Sequence, residues 1–527
     1  MKKRLRTTGL AILLVGALVF QLFGFIPLAA ASEEKDYSTR QTITWAVYSD
    51  SELSNINADA FAQMWGEKFN IEFDVIPMTA ETWDEKVRIW ANGQDLPDVT
   101  QWQYNHADGA SYVEQELIAK LPDGWEEKWP NLARAFEGTV AGPMLAETFG
   151  GTYVLPRPIF ANNKPTDVLV SHQGIYMRKD WVQAVGQEPQ PFYTVPELLD
   201  LARLLKQEDP GGIGDRLVIF GNGINELPWY FVYPVSSYSM MAYDFFVDDN
   251  GQYQWGPAQP ETLQGLKYYE QAYREGLIHP EFYTNTVDNF QDLFYTAGIT
   301  AMCQWAGMAQ VALRFANNLQ NNMGLGYDES LAYTFCVGDD GSYYTVEAPN
   351  WWGALILSPS LEKDPDKFER VLDILDYSCT AEGQNGIRMG LEGVDWEVGA
   401  DGDPVILLEE GTTVLDVYYS IRPFFHNMYI VSDDFGLVNP AYPQRFRDLS
   451  RNQYQLKYSL TTPESLGRIN WDEYFYDSDA KRRTNFDLRE EYASLVVAEG
   501  EMEDKWNAWV EEKMKLVQPV LDELNAM

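Results

Sequence analysis

Residues 174–212, GIYMRKDWVQAVGQEPQPFYTVPELLDLARLLKQEDPGG, pass from strand grammar to helix grammar within one short span. Residues 175–177 read as a strand. Thr194 is placed as an N-cap, with Glu197 three residues later at the capping-box spacing. Leu198, Ala202 and Leu205 then share one helical face, and Asp209-Pro210-Gly211-Gly212 stops the helix. The stretch carries scaffold signals and no catalytic signature.

The same grammar runs outward from it. Upstream, 41–48 (QTITWAVY) alternate like a first strand. A helical pattern over 57–69 places Phe61, Met64 and Trp65 on one face. Residues 71–76 (IEFDVI) give a second strand, 82–91 a helix closed by Asn92-Gly93, and Leu96-Pro97-Asp98-Val99 leads into a short strand. This βαβα run is the pattern of an open α/β sheet with parallel strands. Downstream, 150–156 (GGTYVLP) read as a turn and strand, 261–275 as a helix stopped by Gly276, and 299–304 and 352–358 as strands. Asp364-Pro365 starts a helix through residue 377 as N-cap and N1 proline. Near the C-terminus Trp506, Trp509, Val510, Met514, Val517, Leu521 and Leu524 recur at helical spacing, and Pro519 is placed to kink the end.

A chain of 527 residues is too long for one ordinary core, so two or more domains are expected. The net charge is -40. Lys2, Lys3, Arg4 and Arg6 precede an apolar run from Leu10 to Phe25, and Ala29-Ala30-Ala31 matches a small-residue cleavage site before Ser32. Residues 1–31 therefore read as a signal peptide; an uncleaved anchor helix is the alternative. No later run is long and apolar enough to span. Losing this basic leader makes the remainder more acidic. Such a surface repels phosphate backbones, which excludes nucleic acid as a partner, and it disfavours polyanionic glycans unless a local basic pocket overrides it. Cys303, Cys336 and Cys379 are the only cysteines. An odd number leaves at least one free thiol, and all three read as buried apolar residues.

Four histidines stand alone, and no nucleophile elbow, phosphate loop, HExxH or dinucleotide fingerprint occurs. With 79 acidic residues a glycosidase carboxylate pair can always be drawn, so drawing one carries little information. Asp209 and Asp215 retain ligand character at the ends of a calcium-loop-like stretch, but Gly211 and Ile213 occupy positions where hard cations need oxygen. A metal-free loop is expected, and no cofactor. Aromatic residues make up 14% of the chain, with 17 Trp and 31 Tyr. Tyr and Trp offer flat apolar faces with polar edges, which suits the C–H faces and hydroxyl rims of sugars. Tyr48, Trp102, Tyr104, Trp229, Trp305, Trp351 and Trp352 lie at strand ends or in loops, where an open sheet presents its crevice. Asp50, Glu52, Arg157, Gln304 and Glu392 are the polar candidates beside them. Trp125, Trp129, Trp506 and Trp509 are assigned to packing.

Six short segments in order resemble extracellular solute-binding proteins of ABC importers, family 1, in the branch that binds oligosaccharides. They are GGTYVLP at 150–156, IYMRKDW at 175–181, the helix start at 189–200, EGLIHPEF at 275–282, the strand at 298–302, and LEGVDW at 391–396. The resemblance implies an α/β, two-lobed periplasmic-binding-protein-like fold (type II), each lobe a mostly parallel sheet flanked by helices, with additional C-terminal helices. The expected organisation is a leader (1–31), a linker (32–41), lobe 1 (42–158 and 292–349), lobe 2 (159–291 and 350–442) and a helical C-terminal region (443–527). It implies a monomer, not an enzyme, that captures an oligosaccharide between its lobes and delivers it to the permease subunits of an ABC importer. Many relatives carry a lipidated Cys after the leader; here Ser32 stands there, so an exported, unlipidated protein is expected. A secreted glycan-cleaving enzyme and a sensory binding protein are the alternatives.

Overall fold

A computed structural model describes residues 37–49, 53, 55–79, 82–159, 165–237, 245–409, 412–428, 437 and 439–527. The leader and the linker up to residue 36 lie outside the described residues.

Nine strands build two sheets: β1 Gln41–Tyr48, β2 Ile71–Met78, β3 Val99–Trp102, β4 Val154–Pro158, β5 Gln173–Arg178, β6 Val218–Phe220, β7 Thr300–Ala306, β8 Leu331–Thr334 and β9 Trp351–Leu357. The first sheet has the order β2-β1-β3-β9-β4, the second β8-β5-β7-β6. Each forms the centre of one lobe. Within the first, β1 runs parallel to β2 and β3, whereas β9 is antiparallel to both β3 and β4. In the second, β5 is antiparallel to β7 and β8, and β7 is parallel to β6. The sheets are therefore mixed. Parallel pairing holds where helices return the chain within a lobe, and the direction reverses at β9, where the chain arrives from the other lobe.

The pairing corrects the expected division of the chain. Residues 300–306 and 331–334 pair with β5 in the second sheet, and 351–357 pair with β3 and β4 in the first. The segments 292–349 and 350–442 were each expected in the opposite lobe. The two longer strands, 300–306 and 351–357, are mostly buried on either face, so nothing in their local pattern says which sheet they join.

Both faces of each sheet are covered. On β1, Ile43, Trp45 and Val47 pack with Phe61, Trp65 and Phe73, while Ala46 packs on the other side with Trp83, Trp102 and Trp351. On β5, Ile175 and Met177 join the core around the helix Val195–Glu208, and Tyr176 faces Phe290 and Phe315. That helix begins as its sequence demands. The Thr194 N–H donates to the Glu197 carboxylate at 2.9 Å while the Thr194 side chain accepts from the Glu197 N–H, a cap that contributes about 1 kcal/mol. Leu198, Ala202 and Leu205 are fully buried on its inner face.

The C-terminal region is helical, including Gln444–Ser459, Leu488–Val497 and Met502–Leu524. Trp506 and Trp509 are buried against the second lobe with Tyr492 and Leu521. Near the crossing between lobes, the buried Lys457 ammonium donates to the carbonyls of Ser171 (3.1 Å) and Gln173 (2.6 Å). All three cysteines are buried, and none forms a disulfide within the described residues.

Candidate functional site

β1 and β3 end at one edge of the first sheet, and antiparallel β9 begins there while β4 ends there. This is the edge at which open α/β sheets hold ligands. It gathers Tyr48, Arg157 and Trp352, together with Trp83 from the start of the helix Trp83–Gly93. The Tyr48 N–H donates to Gln101 Oε1 at 3.0 Å, and Trp83 Nε1 donates to the Gln101 carbonyl at 2.8 Å. These bonds fix two rings that stack with centroids 5.0 Å apart. Trp352 stands edge-on to both, at 6.1 Å from Tyr48 and 5.7 Å from Trp83. Trp352 is 38% exposed.

A β-bulge turns Trp352 outward. The β9–β4 register shifts between Trp351 and Ala354, and Gly353 takes φ +65°, a conformation that costs a side-chain-bearing residue energy. Arg157 lies over the Trp352 ring, its Cζ 5.1 Å from the centroid. Its Nη1 donates to the Asn427 carbonyl at 3.5 Å. Its Nε is buried without a partner, and burial pulls the guanidinium down to about 10.

On the second lobe, β7 turns Gln304 and Trp305 to opposite sides. Gln304 belongs to a buried amide network. Its N–H donates to Asn222 Oδ1 (2.8 Å), Asn222 Nδ2 donates to its carbonyl (3.1 Å), and its Nε2 donates to Gln173 Oε1 (2.7 Å). Gln304 Oε1 is left without a partner. Trp229, Tyr233, Gln304 and Tyr343 line a small cavity of about 20 Å³ beside it. Trp229 meets Tyr233 edge-on at 5.0 Å. Trp305 is half-buried against Phe290.

The remaining candidates are not brought to these groups. Asp50 and Glu52 lie outside the described residues. Trp102 and Trp351 are 2% and 4% exposed and sit in the core that backs the first-lobe edge, because strand alternation turns them inward. Tyr104 lies between those two rings, its hydroxyl 2.7 Å from His106 Nδ1. Glu392 is exposed in the turn before the strand Trp396–Val398. Asp209 closes its own loop, since its carboxylate accepts from the Ile213 N–H (2.9 Å) and the Gly214 N–H (2.8 Å). Backbone donors thus occupy the carboxylate that a calcium ion would need. Among the described residues no group of three or more His, Cys, Asp or Glu is placed to hold a metal ion.

Two features escaped the sequence reading. Trp83 was not singled out, although a helix start just after a strand would have placed it at the edge. A cavity of about 500 Å³ also opens between Arg88, Asn105 and His106 of the first lobe and Tyr474, Lys481 and Arg482 of the C-terminal region. It brings together segments far apart in sequence. Its cations are paired: Arg88 with Asp108 (2.8 Å), Lys481 with Glu473 (2.8 Å) and Arg482 with Asp477 (2.5 Å).

No family model matches the chain, and no curated protein matches it in sequence. Solved structures do match. The substrate-binding protein FusA of a Streptococcus pneumoniae ABC transporter, in complex with kestose, aligns with a TM-score of 0.66 at 15% identity, over 93% of this chain and 100% of that one. The alginate-binding protein AlgQ2 without calcium aligns at 0.63 and 16% identity, over 92% and 96%. An HMO-binding, ABC-transporter-associated solute-binding protein from Bifidobacterium longum infantis aligns at 0.61 and 16%, over 92% and 97%. The fold is that of the two-lobed solute-binding proteins.

Proposed function

We propose that this protein captures an oligosaccharide between its two lobes and delivers it to the permease subunits of an ABC importer, without covalent chemistry. The observation that supports this best is the group of Tyr48, Trp83 and Trp352, fixed at the ligand edge of the first sheet with one ring left exposed. Trp352 supplies a stacking face, Arg157 a donor beside it, and Trp229 and Trp305 contacts from the second lobe. Contacts made to both lobes exist only when the lobes are closed, so binding shifts the protein toward that state. The structural neighbours named above bind kestose, alginate and HMO by their own descriptions, and they are binding proteins. The basic leader followed by an Ala triplet supports an extracytoplasmic location. Among the described residues no helix is long and apolar enough to cross a membrane.

The test is a thermal-shift screen of the purified protein against a glycan panel, followed by calorimetry. A ligand present at a hundred times its Kd would stabilise the protein by about 2.7 kcal/mol. Saturable binding of a peptide, with no oligosaccharide giving a shift, would refute the reading.

A further inference from the structure

The cavity of about 500 Å³ between the first lobe and the C-terminal region has walls on two bodies. Two other cavities, of about 390 and 500 Å³, do not. One is lined by residues between 120 and 129 and between 362 and 372 of the first lobe, the other by residues between 187 and 204 alone. The first-lobe wall of the shared cavity includes Arg88 and the turn Asn105-His106. That turn follows the end of β3, at the edge that carries the ring group. Arg88 lies on the helix that begins with Trp83 of that group, about 7.5 Å further along its axis.

The opposite wall is the segment 470–488, and its bonds tie it to the second lobe. Asn470 Nδ2 donates to the Tyr253 hydroxyl at 2.5 Å. The hydroxyls of Tyr476 and Ser478 donate to Glu523 Oε2 at 3.1 and 2.6 Å, and Phe486 packs on Trp255 at 6.1 Å. Two residues of the same segment cross to the first lobe: Phe475 meets His106 at 5.4 Å, and Tyr474 meets Trp351 at 6.5 Å. The neighbours Phe475 and Tyr476 thus pack into the cores of different lobes. The segment is a bridge from the second lobe onto the ligand edge of the first, and the cavity is the space beside it.

Two chemistries line it. Phe245, Tyr474, Tyr476 and Phe486 supply rings. The polar part is built from ion pairs: Arg88 with Asp108, and Arg482 with Asp477 through two bonds of 3.0 and 2.5 Å. Lys481 has Glu473. Every one of these cations is matched, so the cavity calls for no ion, while the pairs hold donors and acceptors in fixed planes. Rings suit the C–H faces of a sugar, and oriented polar groups suit its hydroxyls. The volume and the place between lobes are those of ligand pockets. We propose that this cavity is a second compartment of the ligand cleft, taking a neutral sugar unit of the oligosaccharide beyond the one that stacks on Trp352. The C-terminal region then sets the length of chain the protein prefers. The proposal rests on the oligosaccharide reading and adds a length requirement to it. A unit held there touches both bodies, so its binding favours their closed arrangement.

Titration calorimetry on the full chain tests this with neutral fructo-, malto- and manno-oligosaccharides, each series running from disaccharide to hexasaccharide, and with an oligouronate series. In the neutral series that binds, affinity is expected to rise about tenfold or more at one step of length. Asn485→Trp, at an exposed position of the lining, fills the cavity. Arg88→Gln, also exposed, removes a donor from its wall and breaks a surface ion pair that adds little to folding. Both variants should remove the step, bind the shorter members as the parent does, and keep the ligand-free melting temperature nearly unchanged. Trp352→Ala should weaken short and long members alike. Affinity that does not change with length, a step that survives both variants, or variants that weaken short and long members equally would overturn the second compartment and leave the oligosaccharide reading standing. Binding of the oligouronates alone would also overturn it. Binding of no oligosaccharide at all would remove both.

Discussion

Trp352 and Trp351 are adjacent and chemically identical, yet one is 38% exposed and the other 4%. Strand alternation and the bulge at Gly353 decide which is which. The sequence reading named both, because it could place them at a strand end without knowing the phase of the strand. Trp102 was misjudged for the same reason, while Tyr48 and Arg157 do lie at the edge. Trp352→Ala is expected to weaken glycan binding about tenfold or more and to leave the melting temperature nearly unchanged, as titration calorimetry and thermal melts would reveal. Glu226 makes a different prediction. Burial raises its carboxyl to about 8 from an ordinary 4.5, so it is neutral when folded and charged when unfolded between those values. The stability it allows is complete below pH 4.5 and declines as pH rises toward 8. Glu226→Gln should therefore gain stability over the parent at pH 8.5 and show little difference at pH 4.5, measured as the difference in melting temperature.

Elements with their own start and stop chemistry were read almost to the residue. The first strand was expected at 41–48 and is Gln41–Tyr48; the capped helix begins at Val195 after Thr194; the Asp364-Pro365 start opens Pro365–Ser378. Local hydrogen bonds and apolar spacing carry that information. Sheet membership does not travel with it, which is why the strands Thr300–Ala306 and Trp351–Leu357 were each expected in the other lobe. The loop after the capped helix shows a middle case. Its sequence says that oxygen ligands are missing at Gly211 and Ile213, and the structure adds what Asp209 does instead. Melting curves with excess calcium and with chelator should superimpose. Asp209→Ala should cost about 1–2 kcal/mol in either condition, and a calcium-dependent shift of several degrees in the parent would contradict the backbone-closed loop.

At the scale of the molecule, both lobes carry their own covered sheet, and the chain passes between them beside the Lys457 anchor. Small-angle scattering with and without a saturating ligand should show a smaller radius of gyration in the bound state, as hinge closure requires; an unchanged radius would mean that binding does not draw the lobes together. The three buried cysteines bear on how such motion can be watched. Cys303, Cys336 and Cys379 are each 4% exposed or less, and burial raises all three thiols, Cys379 to about 12. Thiolate is the species that reacts with maleimides, so the native sulfurs should stay unlabelled under mild conditions. One new surface cysteine on each lobe would then accept a donor and an acceptor dye in the otherwise wild-type chain, and energy transfer between them would report opening and closing one molecule at a time.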